Sequence, residues 1–184
     1  MNVSIQEILD EFAQLVGQPA VPPPVAAPTV AAAPTPAGAP AVPPVPAAPP
    51  VPPAPLQVMD YAAKGYHVSV TVSPNQVVPA AELLDRNGFS LDAVSGVDWI
   101  AEGQIEVVYD YFHPQNPWRI AVRTRVPRDN GEVPTLCAVF AGANWHERET
   151  AEFFGIRFTG HPNLIPLLLP EDATYHPLRK DFSA

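Results

Sequence analysis

Cysteine is almost missing from this chain: Cys137 is the single one in 184 residues. One thiol allows no disulfide within the chain and cannot supply the ligands of a cysteine-held iron–sulfur cluster. In the apolar run Leu136-Cys137-Ala138-Val139-Phe140 it reads as a small buried hydrophobe. Basic residues are scarce too, with 10 Lys/Arg against 19 Asp/Glu, a formal net charge of −9 and a pI near 4.8. This balance excludes general nucleic-acid binding, which needs a basic footprint for phosphates, and disfavours direct docking on anionic lipid. No stretch reaches about 18 uncharged apolar residues without a proline, so none reads as a bilayer span. The N-terminus lacks the basic n-region and unbroken apolar stretch of a secretory signal. A soluble, cytoplasmic chain is the expectation. Glycine-rich phosphate loops, dinucleotide fingerprints and Ser-His-Asp spacings are also absent, since the glycines are scattered singly.

What the chain has in excess is proline, and 16 of its 26 prolines lie between Pro19 and Pro55. Residues 18–55 are almost wholly Ala, Pro, Val and Thr, without a charge. Such a composition cannot bury enough surface to fold, and it predicts a disordered, polyproline-like linker reaching on the order of 100 Å. Residues 1–17 before it predict a short amphipathic helix. Ser4 with Glu7 makes a capping box, Val3 with Ile8 a hydrophobic staple, and Gly17 sits where a helix ends. Ile5, Ile8, Leu9, Phe12, Leu15 and Val16 share one face, with Glu7, Asp10, Glu11 and Gln14 opposite. A helix of about a dozen residues is marginal alone in water and needs a groove, on its own domain or on a partner. The long leash favours a docking helix that sits on a partner protein.

Residues 56–184 are enough for one domain with a core, and they carry 10 Lys/Arg against 16 Asp/Glu. Alternation over 66–72 predicts a strand, and 79–87 a short helix with Pro79 at its first position and Gly88 after it. Residues 104–112 and 118–125 are strong strand candidates. In the second, Ile120, Val122, Thr124 and Val126 share one face, and Arg119, Arg123 and Arg125 the other. A further apolar strand is expected over 136–140, before a capped helix beginning at Asn144. With no repeating strand–helix rhythm, the fold class is α+β: one small domain with a mixed or antiparallel sheet, packed by short helices and ending in an extended tail over 159–184.

Asn144 followed by Glu147 is a second capping-box pattern, which puts Trp145 in the first helical turn. Arg148 and Glu152, spaced i, i+4, are expected to face each other, with the carboxylates forming ion pairs to basic groups on a neighbouring chain or strand. Glu147, Glu149 and Glu152 fall within six residues, so a stand-alone hydrolase using paired carboxylates is one reading, ranked below capping and ion pairing. A zincin pattern fails because His146-Glu147 is followed by Thr150 rather than histidine. His113, His161 and His176 each precede a proline, which suits polar corners better than a ligand set. A zinc site from His146, His161 and His176 is the weaker alternative.

The block Ala143-Asn144-Trp145-His146-Glu147-Arg148-Glu149, then Glu152-Phe153-Phe154-Gly155-Ile156, Phe158, Gly160-His161-Pro162 and Pro177-Leu178-Arg179-Lys180-Asp181-Phe182, resembles the 30 kDa subunit family of NADH–quinone oxidoreductase, respiratory complex I. Gly96-Val97-Asp98, Val107-Val108-Tyr109 and the Arg-rich strand agree, so the resemblance covers about residues 60–182. Two departures stand out: Glu152 replaces an aspartate common before the aromatic pair, and Ile165-Pro166-Leu167-Leu168-Leu169-Pro170 replaces an Arg-rich stretch.

The resemblance implies a cofactor-free scaffold subunit of the peripheral arm, on the cytoplasmic side of the membrane. It would pack on the large quinone-site subunit, near the small Fe–S subunit, while clusters, flavin and quinone belong to other chains. The equivalent subunit of a membrane-bound energy-converting [NiFe] hydrogenase is the alternative. On this reading Trp145, Glu147, Arg148, Glu149, Glu152, His161, Pro162, Arg179, Lys180 and Asp181 form the subunit interface, with the tail wrapping across the large subunit.

Overall fold

A computed structural model describes residues 4–17 and 54–183. The linker expected over 18–55 and the staple residue Val3 therefore lie wholly or mostly outside the described residues.

The first helix, α1 (Ile5–Leu15), is closed by the expected capping box. Gln6 N donates to Ser4 Oγ at 3.2 Å, and Ser4 N donates to Glu7 Oε2 at 3.0 Å. Gly17, at φ +71°, supplies the left-handed turn after its last residues. Its apolar face fills a groove of its own domain, against α3 (Val77–Arg86) and β1 (Leu56–Val58), with Ile8, Leu9, Phe12 and Ala13 buried. Of the two grooves expected for this face, on its own domain or on a partner, the structure supplies the first. Gln76 Nε2 donates to Leu15 O at 2.8 Å, and Arg86 pairs with Glu11 at the rim.

A short helix, α2 (Tyr61–Lys64), leads from β1 to β2 (Val68–Thr71). The strands β3 (Ser90–Trp99), β4 (Gln104–Phe112) and β5 (Arg119–Pro127) complete a mixed main sheet in the order β1-β2-β5-β4-β3, with β2 parallel to β5 and every other pair antiparallel. The α+β class and the mixed sheet are as expected. The two long strands β3 and β4 pair along their whole length around a bulge between Leu91 and Ala93. Register places Ile105, Val107, Tyr109 and Tyr111 beside Val126, Thr124, Val122 and Ile120, and all eight are buried on one face. On the opposite face Glu106 bridges Arg123 and Arg125, and the Arg125 guanidinium lies over the Trp99 ring. The charged face read from the arginines is thus neutralised by a carboxylate from the neighbouring strand.

Three local expectations differ from the structure. The helix expected at Pro79 begins at Val77 after a 3-10 turn (Pro74–Gln76), because Ser73 N donates to the Gln76 side chain and starts the turn earlier. Pro79 still sits in the first helical turn, where its missing N–H costs nothing. Residues 136–140 form a turn, not a strand. Val139 N and Phe140 N both donate to Leu136 O, while the real strand, β6 (Glu132–Pro134), pairs in parallel with β7 (Arg157–Thr159). Finally, α4 (Ala143–Phe154) follows Gly142 and has no side-chain cap from Asn144. Its first N–H groups are satisfied by the turn before it, Ala143 N to Phe140 O and Asn144 N to Ala141 O. Glu147 is thereby released from capping.

Candidate functional site: the tail strapped to α4

Glu147 is fully buried and reaches back to the turn before the helix. Its Oε1 accepts from Leu136 N at 2.7 Å and its Oε2 from the Thr135 hydroxyl, with Cys137 Sγ 3.7 Å from Oε2. Burial pushes this carboxyl above its ordinary range, and the hydrogen bonds from Thr135 and Leu136 pull the other way. Burial also raises the phenols of Tyr109 and Tyr111, with the Glu147 charge as a second cause.

Arg148 and Glu152 do not pair with each other. Arg148 donates through Nε to Ile165 O at 2.9 Å and through Nη2 to Pro166 O at 2.8 Å. Glu152, buried, accepts from the backbone N–H groups of Leu167, Leu168 and Leu169 at 2.9–3.2 Å. The Leu-Pro segment over 165–170 is therefore held by α4 through its backbone. Behind it lies a cavity of about 300 Å³ whose walls include Ile156, Leu169, Tyr175 and His176.

The end of the tail is tied down in the same way. His176 Nδ1 bonds Glu152 O at 2.8 Å, and Arg179 donates to Phe154 O at 2.8 Å and Arg128 O at 2.9 Å. Lys180 N donates to Asp98 Oδ2 at 2.8 Å, and Arg128 grips Asp98 through two bonds at 3.0 and 3.1 Å while also pairing with Asp181. The Arg128 guanidinium holds Asp98 below the ordinary carboxylate range, and it does the same to Asp181. Gly155, at φ +76°, makes this possible: a Cβ there would run into Arg179 and His176.

The ten residues expected at an interface thus divide. Glu147, Arg148, Glu152, His161, Arg179, Lys180 and Asp181 bond within the chain, the last two while exposed, whereas Trp145 and Pro162 are exposed and Glu149 is half-exposed. The tail expected to be extended is folded back as a strap. Among the described residues nine large apolar side chains are exposed, and six of them (Trp145, Ile165, Leu168, Tyr175, Leu178 and Phe182) lie on α4 or the tail. Trp145 at 68 % and Leu168 at 64 % are the most open. Sequence reasoning missed Asp98, Arg128, Thr135 and Gly155 as parts of this site. Asp98 and Gly155 carried a signal, as members of the Gly96-Val97-Asp98 and Phe153-Phe154-Gly155 motifs, and Arg128 and Thr135 carried none.

The three glutamates do not converge. Glu149 faces a different surface pocket from Glu152, and the oxygens of Glu147 and Glu152 are taken by neighbouring N–H and O–H groups. This geometry opposes the hydrolase reading. The structure groups Cys137, Glu147 and His161, whose ligand-type atoms lie within 4.8 Å of one another, and it leaves His146 and His176 outside that group. His161 Nδ1 accepts from Asn163 N at 3.0 Å, so Nε2 carries the proton and donates to Asn144 O at 3.1 Å. A metal ion on either ring nitrogen would have to displace the bond that nitrogen makes.

The fold and this site define a class: an α+β domain that spends its buried charges on fastening its own tail and turns apolar side chains outward along it. The chain belongs to the family described as respiratory-chain NADH dehydrogenase, 30 Kd subunit, which matches residues 70–184. It is 44% identical over 120 residues to the C subunit of an NADH-quinone oxidoreductase from Roseiflexus sp., a match covering 62% of this chain and 68% of that relative. To the C subunit of an F(420)H(2) dehydrogenase from Methanosarcina mazei it is 43% identical over 93 residues, or 50% of this chain and 59% of the other. Among solved structures, a chain of the membrane-bound sulfane sulfur reductase, an archaeal respiratory membrane complex, superposes with a TM-score of 0.58 at 26% identity, covering 63% of this chain and 71% of that one.

Proposed function

We propose that this chain is a structural subunit of the peripheral arm of a membrane-associated respiratory oxidoreductase of the NADH–quinone type. It holds no cofactor of its own and docks through the outer side of its strapped tail on the large quinone-site subunit, with the small Fe–S subunit as neighbour. The observation that carries this reading is the division of labour in residues 145–182. Polar groups point inward to fix the backbone, and Trp145, Leu168, Leu178 and Phe182 are left exposed. Tryptophan and tyrosine anchors are frequent energetic centres of protein interfaces, and exposed apolar patches mark interaction surfaces. Among the described residues no helix is long and apolar enough to cross a membrane. The chain would therefore sit peripherally, on the cytoplasmic side, and reach the membrane through other subunits. Residues 18–55 would serve as a linker and 56–184 as the docking domain.

A second reading concerns the electron donor. The relatives are named for NADH, F(420)H(2) and sulfane sulfur chemistry, which supports a module indifferent to the donor, as in an energy-converting hydrogenase. Native purification of the tagged chain with mass spectrometry of its companions separates the two, through the identity of the large subunit. Leu168→Ser combined with Leu178→Ser is expected to leave the domain folded and strip it from the complex. If the variant complex keeps its composition but loses turnover, the docking role is wrong.

A further inference from the structure

The helix α1 has the anatomy of a ligand, not of an internal element. Its ends are self-sufficient: the Ser4–Glu7 box closes the start, Gly17 follows its last turn at φ +71°, and Gln6 bonds Asp10 along one side. It meets the domain through one apolar stripe, Ile8, Leu9, Phe12 and Ala13, each no more than 1 % exposed. The polar contacts across this boundary are peripheral: Gln76 to Leu15 O, and Arg86 and Asn87 to Glu11. In the sequence 36 residues without a charge separate Gly17 from Ala54. The family match begins at residue 70, so both α1 and the groove wall β1 lie outside it. Apolar anchors at i, i+1, i+4 and i+5 on a short helix, seated between another helix and a strand, are the pattern of helix-in-groove peptide recognition.

We propose that the groove between α3 and β1 is a binding site for an acidic amphipathic helix, and that residues 4–17 are its ligand, held in cis by the linker and exchangeable in trans with the same segment of a second copy. About eleven residues are too few for a stable helix in water, so the segment folds as it binds. Tethering sets its effective concentration near the millimolar range, which keeps the groove filled from within at ordinary protein concentrations. The proposal stands apart from the docking role of the tail, which uses the other end of the chain.

The test uses the full chain with a site-specific protease sequence inserted between Ala33 and Pro34. After cleavage at micromolar concentration, the N-terminal fragment is expected to co-elute with the domain. On dilution, a fluorescein-labelled peptide of residues 1–17 should replace it, with saturable anisotropy. The labelled peptide should bind the uncut chain at least tenfold more weakly, because the cis copy competes. The Phe12→Asp peptide should bind the cleaved domain at least tenfold more weakly. Amide exchange in β4 and β5 should stay slow while the fragment is absent. Three results overturn the proposal: the fragment leaves only when β4 and β5 lose protection, the labelled peptide does not enter, or the Phe12→Asp peptide binds as well as the parent. In a second approach, the uncut Phe12→Asp chain should keep its near-UV circular dichroism if α1 is a ligand and lose it if α1 is part of the core.

Discussion

Arg148 and Glu152 stand one helical turn apart on α4 and, instead of pairing, hold the two polarities of one loop, the arginine its carbonyls and the glutamate its N–H groups. Removing the carboxylate strands three backbone donors, whereas removing the arginine frees two carbonyls that can turn to water. Glu152→Ala should therefore cost about 2–3 kcal/mol and Arg148→Ala about 1 kcal/mol. Because both act on residues 165–169, the double variant should fall short of the sum by about 1 kcal/mol. Urea unfolding of the four proteins measures this, and strict additivity would refute the shared-loop account.

Gly155 ends α4 in the left-handed region, with Arg179 and His176 packed against its missing side chain. Gly155→Ala should cost about 2–3 kcal/mol, through backbone strain and displaced tail contacts together. Gly103, at φ +62° with open space around it, isolates the strain alone, so Gly103→Ala should cost about 1 kcal/mol. Amide exchange at Leu178, whose N–H bonds Phe153 O, should accelerate only in the Gly155 variant.

Much of this fold could be read in the sequence, and the misses at the strapped tail share one cause. Strand period 2 exposed the inner face of β5, and the Ser4–Glu7 box marked α1, since both depend on neighbours in sequence. The same local logic failed at Asn144-Glu147 and Arg148-Glu152. There the expected partners lie three and four residues away, and the true ones 11 to 18 residues away. A buried carboxylate takes whichever donors the folded chain leaves unsatisfied, and these were the backbone groups of turns and loops with no sequence signal. The tail looked extended for the same reason, because Asp98 and Arg128, which fasten its end, lie 82 and 53 positions from their tail partners.

Thr124 sits on the inner sheet face where the alternation places it, yet its hydroxyl is buried without a hydrogen-bond partner among the described residues, as is that of Tyr109. A desolvated, unpaired hydroxyl opposes folding, and valine has nearly the same shape. Thr124→Val is expected to raise stability by about 1 kcal/mol in urea unfolding. An unchanged or lowered midpoint would show that the hydroxyl is satisfied in solution.

Glu147 gives the fold an unusual pH dependence. Its carboxyl is raised above the ordinary 4.5 by burial, so the folded protein holds the proton more tightly than the unfolded chain. The stability this contributes is complete below 4.5 and is lost as pH rises through the folded value. Glu147→Gln removes that titration. Stability of the parent relative to Glu147→Gln should fall as pH is raised from 4.5 toward neutrality, measured by urea unfolding at successive pH values. A flat difference would mean that the Thr135 and Leu136 bonds cancel the burial.

Asp98 works with the opposite sign. Arg128 holds its carboxyl below the ordinary 3.8, so the unfolded chain takes up protons first. The stability from this group is present above 3.8 and is lost as pH falls through the folded value. The carboxylate also receives Lys180 N, so its protonation loosens the end of the tail together with the sheet. Asp98→Asn should cost about 2 kcal/mol near neutrality, since it breaks a two-bond grip on a buried side chain and leaves Arg128 facing an amide. The difference from the parent should narrow as pH drops below about 4. Protection of the Lys180 amide against exchange should be lost in the variant at every pH, and in the parent only in acid. If Lys180 stays protected in Asp98→Asn, then Arg179 and Asp181 hold the strap without Asp98.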